Sequence, residues 1–250
     1  MKHQSITLIN KANVILKSKL SILTFLLSLF VNSKYIDLSP SILAKAELHI
    51  KNFRLWSEEE REASLHETLA QLDEVKDIWI FGYASLVWRP EFEYIESRRG
   101  TLLGYHRSLC LWSSVNRGTP ERPGLVFGLA ESGVCEGTVY KLSNDNLMDK
   151  MRRLWQREMP NSSYLPMWLD CETAKGTVKA LAFVMDPDDH SYVDNLSVDE
   201  TIDVVLGAHG HYGPCTEYVL ETATALKKAG IQDDALYHLS ELIRERLQHS

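Results

Sequence analysis

One glutamate stands among apolar residues in a stretch with the pattern of an amphipathic helix, NLMDKMRRLWQREMP at residues 146–160. Successive residues of an α-helix are rotated by about 100°, so the apolar side chains share one face: Leu147, Met148, Met151, Leu154, Trp155 and Met159. The opposite face is polar: Asp149, Lys150, Arg153, Gln156 and Arg157. Glu158 is polar by chemistry, yet its position falls within the apolar face.

Glu158 has a structural and a functional explanation. A buried carboxylate is costly unless it is paired or protonated. The structural explanation is therefore an ion pair, with Arg152 at the edge of the face as a candidate partner, or a helix end that frays into solvent before Pro160. The functional explanation is a general acid/base, because an apolar pocket raises the pKa of a carboxyl group toward neutrality. The helix pattern alone leaves both open.

A loop of small residues is a candidate partner for that carboxylate. The stretch DIWIFGYASLVWRP, residues 77–90, places Gly82, Ala84 and Ser85 between two apolar arms. Small side chains let a ligand approach the backbone, although a strand-to-loop corner can need them for packing only. Ser85 as a nucleophile is the weaker interpretation, because the G-x-S-x-G elbow is absent.

Composition and charge exclude several functions. Hydrophobic residues make up 44% of the chain and the formal net charge is −7, which fits a globular protein and argues against a nucleic-acid partner. The cysteines Cys110, Cys135, Cys171 and Cys215 form no CxxC pair, so reduced thiols of a cytosolic protein are expected. His209, His211 and Cys215 in HGHYGPC lack a second ligand pair, and no metal site is predicted.

The predicted elements are mostly strands flanked by helices. Capping boxes at Ser57 with Glu60 and at Ser197 with Glu200 begin two helices. Another helix is predicted from a cap at Ser143 to near Pro160, and two more over 216–229 and 232–248. Strands are predicted over 77–83, 101–112, 124–131, 135–142, 164–170 and 177–186. This pattern predicts an α+β fold with a mostly antiparallel curled sheet or small β-barrel flanked by helices.

The first fifty residues differ from the rest. An apolar run at residues 20–31 follows Lys17 and Lys19, but it is shorter than the roughly 20 residues that span a membrane. No A-x-A cleavage site follows the run directly. An uncleaved signal, a membrane-contacting helix and translated sequence upstream of a later start remain open. We expect residues 1–50 to lie outside the folded domain and residues 51–250 to form it.

Four segments in order resemble the ChaC family of glutathione-specific γ-glutamylcyclotransferases: WIFGYASLVWRP, GYHRSLCLWSSVNRGTPERPG, WQREMPNSSYLPMW and GPCTEYV. The similarity runs from about Trp56 to Gln248. It implies a cytoplasmic enzyme that cleaves glutathione to 5-oxoproline and cysteinylglycine without a metal or organic cofactor.

The resemblance also implies which residues act. The family's Tyr-Gly-Ser-Leu loop, which holds the γ-glutamyl end of the substrate, falls at Tyr83, Ala84, Ser85 and Leu86, and the family's catalytic glutamate falls at Glu158. The expected substrate-binding set extends back through Ile80, Phe81 and Gly82. It also includes Tyr164, beside the helix end, and Arg117, as a partner for the glycine carboxylate of glutathione.

One departure from the family pattern concerns the loop. Ala84 stands where the family has glycine, which matters if the position needs a positive φ and is harmless if φ is negative. Two other functions therefore stay open. One is cyclisation of other γ-glutamyl amines, and the other is a non-catalytic binding protein on the same fold.

Overall fold

The structure is a computed structural model that describes residues 40–249. This part of the chain forms a closed five-stranded barrel, a two-stranded sheet and seven helices. In chain order the elements are α1 (Pro40–Asn52), α2 (Glu58–Leu69), β1 (Trp79–Gly82), α3 (Ser85–Trp88), β2 (Tyr94–Ser113), β3 (Gly124–Leu142), α4 (Leu147–Glu158), β4 (Tyr164–Thr173), β5 (Val178–Met185), α5 (Val198–Gly207), β6 (His209–Gly210), β7 (Gly213–Pro214), α6 (Cys215–Lys228) and α7 (Asp234–Gln248).

Strand β1 is enclosed within the barrel. The strand order is β1-β3-β2-β4-β5, and β1 pairs antiparallel with β3 and parallel with β5, so that Trp79 lies opposite both Lys141 and Ala180. With a neighbour on each side, all four residues of β1 are buried. The predicted α+β barrel is confirmed, and its most enclosed strand leads directly into the loop of small residues.

The longest part of the barrel is a hairpin of two bent strands. Residues 124–142 form one strand, β3, so the prediction of two strands over 124–131 and 135–142, with a turn at Ser132 and Gly133 between them, is wrong. Both residues have positive φ, as does Gly104 in β2, and the pairing of the two strands shifts register between Leu103 and Tyr105. These positive-φ residues, which would suit a turn, instead form an irregularity within the continuous β2–β3 pairing.

Two helix starts are confirmed and one is wrong. Both predicted capping boxes form, with Glu60 N donating to Ser57 Oγ at 3.2 Å and Glu200 N to Ser197 Oγ at 3.3 Å. Helix α4 begins only at Leu147, because the Ser143 hydroxyl instead donates to Asp145 in the turn that leaves β3. Local side-chain bonding in the turn thus competes with capping.

The apolar face of α4 packs as the periodicity predicts. Its side chains join β1, β5 and α2 in one core with Ile80, Leu86 and Phe183. Five of the predicted face residues are buried: Leu147, Met151, Leu154, Trp155 and Met159. The Trp155 ring meets Phe183 edge-on, with centroids 5.5 Å apart. This packing fixes the end of α4, and with it Glu158, against the barrel.

The N-terminal boundary at residue 51 stays a prediction. The apolar run at residues 20–31 lies outside the described residues. Within residues 40–249 no helix has the length and apolar character to cross a membrane. Helix α1 contacts the barrel through His49, whose Nε2 lies 2.8 Å from Ser114 Oγ.

A buried arginine joins the barrel to the last helix. The Arg107 side chain on β2 is only 3% exposed and forms an ion pair with Asp233. It also donates to the carbonyl oxygens of Tyr83 and Glu136. Asp233 in turn caps α7 by accepting from Leu236 N at 3.0 Å. Arg107 therefore fixes both the C-terminal helix and the backbone where β1 ends.

We expect Asp233→Asn to lower the free energy of unfolding by about 2 kcal/mol, since it leaves the buried Arg107 without a counter-charge. Urea unfolding followed by circular dichroism measures this. The matched control is Asp234→Asn, on an exposed neighbour, which should match wild type. An unchanged unfolding midpoint for Asp233→Asn would show that the ion pair contributes nothing.

Candidate active site

The loop of small residues connects β1 to the four-residue helix α3. Gly82 does not have a positive φ; a Cβ there would lie 3.0 Å from Leu86 Cβ and 3.1 Å from the Tyr140 ring. Its role is thus close packing. Ala84 has φ −136°, outside the left-handed region that favours glycine. The alanine is accommodated without that conformational cost.

Glu158 is the last residue of α4, and its side chain is 15% exposed. Burial raises the pKa of its carboxyl group, and the adjacent Arg157 guanidinium opposes the rise. The Glu158 Oε1 to Arg157 Nε distance is 3.0 Å. The proposed pairing with Arg152 is wrong: Arg152 bonds Glu62 at 2.9 Å, because it projects toward α2. Glu158 thus combines a desolvated carboxyl with one close cation.

Arg157 connects Glu158 to the loop. Its Nη2 donates to Ser85 Oγ at 2.9 Å, and its Nη1 donates to Glu91 Oε2 at 2.8 Å and to the carbonyl of Arg89. A guanidinium offers five N–H donors in a rigid fork, which suits this set of acceptors. The Ser85 partner is a cation that cannot take a proton, and this further weakens a nucleophilic role for the serine.

Three tyrosines surround the same region: Tyr83 and Tyr218 are buried and Tyr164 is half-buried. The Tyr83 hydroxyl donates to the Phe183 carbonyl at 3.0 Å, and the Tyr164 hydroxyl donates to the Phe127 carbonyl at 2.7 Å. Tyr218 Oη accepts from Phe127 N at 3.1 Å. Burial raises the pKa of all three, and the nearby Glu158 charge adds to the rise. The phenols are therefore neutral, and Tyr164 bonds the backbone rather than Glu158.

A cavity of about 190 Å³ lies against these groups. Its wall includes four of the predicted residues: Ser85, Arg117, Glu158 and Tyr164. The other predicted residues do not line it. Ile80 and Leu86 belong to the apolar core, Phe81 stacks on Tyr83 at 6.3 Å between centroids, and Gly82 and Ala84 are buried beside them. Side chains of the loop other than Ser85 thus support the cavity from beneath.

Arg117 lies in the cavity wall and is 5% exposed. Its Nη1 donates to the Pro214 carbonyl at 3.2 Å, and its guanidinium carbon lies 5.3 Å from the centre of the Tyr218 ring.

The HGHYGPC stretch forms the small β6–β7 hairpin, and His211 N bonds the Val115 carbonyl at 2.8 Å. No three His, Cys, Asp or Glu residues within 40–249 are grouped to hold a metal ion.

Sequence reasoning missed most of the residues in this wall, among them Arg89, Arg157 and Tyr218. Arg157 was assigned to the polar face of α4, because its backbone position does point away from the core. Its long side chain reaches back to Ser85 and Glu158. Tyr218 lies in GPCTEYV, which contributed to the family resemblance without being singled out.

Comparison with known proteins gives a family and a fold. The model of the ChaC-like protein family matches residues 78–246. Glutathione-specific γ-glutamylcyclotransferase of Escherichia coli K12 is 38% identical over 199 residues, 79% of this chain and 86% of that protein. Glutathione-specific γ-glutamylcyclotransferase 1 of Homo sapiens is 31% identical over 160 residues, 62% of this chain and 72% of that protein.

A solved structure has the same fold. The crystal structure of a yeast γ-glutamyl cyclotransferase specific to glutathione superposes with a TM-score of 0.62 and 20% sequence identity. The superposition covers 67% of this chain and 96% of the yeast chain.

We expect Arg157→Met to raise the pKa of Glu158 by about one pH unit or more, because it removes the cation that favours the carboxylate. A ¹³C NMR titration of protein labelled at glutamate carboxyl carbons measures this, with Glu158→Gln assigning the signal. Arg153→Met, on the exposed face of α4, is the control and should leave the titration unchanged. An unchanged or lower pKa in Arg157→Met would mean that burial alone sets its value.

Proposed function

The chain belongs to the ChaC-like protein family, and we propose that it cleaves glutathione to 5-oxoproline and cysteinylglycine. The observation that carries this proposal is a buried carboxyl of raised pKa, Glu158, in the wall of a cavity that also contains Ser85. The E. coli and human relatives, named for this activity, support the choice of substrate.

The reaction is an intramolecular substitution. The α-amine of the γ-glutamyl group attacks the γ-carbonyl carbon, a new C–N bond closes the lactam ring, and the bond to the cysteine nitrogen breaks. Nucleophile and electrophile belong to one molecule, so the protein mainly has to fold the substrate into the reactive geometry. No water and no cofactor is consumed in this scheme.

Glu158 serves as the proton acceptor and then the donor. The α-amine is protonated at neutral pH and becomes nucleophilic only when it loses a proton, which the carboxylate takes up. The protonated Glu158 then transfers that proton to the departing cysteine nitrogen, and the second proton, which the ring nitrogen loses as the lactam forms, passes to the released amine of cysteinylglycine. A carboxyl with a raised pKa suits both steps, because a pKa near the working pH balances uptake and release.

The loop provides donors for the charge that develops on the carbonyl oxygen. The Ser85 hydroxyl faces the cavity and is oriented by Arg157. Backbone N–H groups of the residues from Tyr83 to Leu86 complete the expected set, since preorganised donors stabilise an oxyanion. The remaining predicted residues, Ile80, Phe81 and Gly82, hold this backbone in place from the core.

Arginines balance the charge of the substrate. Glutathione has two carboxylates, and Arg89, Arg117 and Arg157 all line the cavity. Arg157 is already bonded to Glu91 and Glu158, and Arg89 donates to Glu91 at 2.6 Å. Arg117 has Pro214 as its hydrogen-bonded acceptor, so we assign it to the glycine carboxylate. Burial of the guanidinium strengthens such a pair.

The chemistry supports a reducing compartment. The four cysteines are free and buried, as expected in a reducing compartment, and the proposed substrate is a thiol. We place the activity in the cytoplasm, in a domain formed by residues 51–250, against which His49 of α1 also packs.

Glu158→Gln should lower kcat for glutathione by about 10³-fold, since it keeps the side-chain shape and removes the proton acceptor. Release of 5-oxoproline from purified protein is measured, with Glu67→Gln, on the exposed face of α2, as the control. Comparable activity of the Glu158→Gln variant would rule out this base. No product from wild-type protein at millimolar glutathione would favour a binding protein, and faster turnover of γ-glutamyl amino acids would favour the broader cyclotransferase.

Arg117→Met should raise KM for glutathione by about 10- to 100-fold, the loss of one charge-assisted interaction. The same variant should change KM little when the glycine carboxylate of the substrate is replaced by its amide. Equal effects on both substrates would show that Arg117 supports the cavity without binding the carboxylate.

A further inference from the structure

The segment before the family-matched region contributes to the cavity. The match begins at residue 78, whereas Phe53 and Leu55, which follow α1, lie in the cavity wall. Phe53 is half-buried, and Leu55 is 54% exposed at the rim. A stretch outside the matched region therefore forms one side of the candidate active site.

This segment is anchored by a buried histidine. His49 is 1% exposed, with Nε2 2.8 Å from Ser114 Oγ and Nδ1 3.1 Å from Ser191 Oγ. Ser191 lies 2.9 Å from Ser163, which donates to Asp189 at 3.1 Å. Burial lowers the pKa of His49 to about 4, so the ring is neutral, with one nitrogen donating and the other accepting. Ser114 and Ser163 themselves line the cavity.

A second anchor places the segment beside Glu158. Trp56 N donates to the Pro160 carbonyl at 2.8 Å, two residues after Glu158. Arg61 Nη1 donates to the Trp56 carbonyl at 2.7 Å and fixes the chain on its way into α2. The His49 ring also meets Phe53 edge-on at 5.6 Å. Phe53 and Leu55 are thus held between two fixed points.

We propose that Phe53 and Leu55 form a specificity wall that limits the size of the side chain on the residue whose amine departs. The proposal rests on the proposed function. The departing nitrogen has to reach Glu158, so the side chain next to that nitrogen lies near the end of α4, where residues 53–56 run. For glutathione this side chain is the small apolar CH₂SH group, and an apolar wall there accepts the free thiol and excludes substituted sulfur.

The test compares glutathione with S-methylglutathione, which adds one carbon to that side chain. One added methylene in a fitted apolar pocket changes kcat/KM by about 10- to 200-fold. Phe53→Ala should therefore raise the ratio of kcat/KM for S-methylglutathione to that for glutathione by about tenfold or more. Phe53→Trp should lower the ratio. The control is Leu48→Ala, an exposed position on α1 that is 49% accessible and should leave the ratio unchanged.

The anchor is tested with His49→Ala, which should shift the ratio in the same direction as Phe53→Ala and lower Tm. A ratio that stays at the wild-type value in both Phe53 variants overturns the wall. An equal fall of kcat/KM for both substrates also overturns it, because that result indicates a structural role only. If wild-type protein releases no 5-oxoproline from glutathione, the proposed function fails; if it does and the ratio does not move, the wall alone fails.

Discussion

The site depends on one desolvated carboxyl group and the cation beside it. Burial disfavours the charged form of Glu158, while Arg157 at 3.0 Å favours it. Burial is the larger effect, so the pKa of the carboxyl is raised without the full cost of an unpaired buried charge. The same guanidinium bonds Ser85 at 2.9 Å. Any movement of the loop therefore also changes the electrostatic environment of Glu158. Arg157 thus couples the loop to the carboxyl group.

The barrel holds Glu158, Arg157 and the loop in fixed positions. Strand β1 is paired on both sides, which fixes the position of the loop that follows it. Helix α4 packs its apolar face on the same core. Below the loop, Arg107 donates to the Tyr83 carbonyl and is paired with Asp233 at the start of α7. Arg107 from β2 thus holds the loop backbone at Tyr83, and Arg157 from α4 holds the Ser85 side chain. Catalytic groups are positioned most accurately when regular elements hold them in this way.

Periodicity located Glu158 because a core-facing position on a helix is a backbone property. The α+β barrel followed similarly, from alternating strands and the two capping boxes. Arg157 could not be found in this way: its Cα lies on the polar face, and only its long side chain returns to the cavity. The Arg152 assignment failed for the same reason, since its side chain extends to Glu62. The sequence also gave no sign that His49 reaches Ser114 and Ser191, 65 and 142 positions away.

In the proposed mechanism, proton transfer and substrate selection use different parts of the chain. The carboxyl, its cation and the loop lie between residues 82 and 158, whereas the cavity wall also includes residues 53 and 55 and the Tyr212 side chain. Ala84 belongs to the first group, and its φ of −136° lies outside the left-handed region that would need glycine. Changes in the wall can alter which substrate fits while Glu158, Arg157 and Ser85 keep their mutual distances. On this proposal the barrel fixes the groups that do the chemistry, and segments attached to the barrel set which substrate fits.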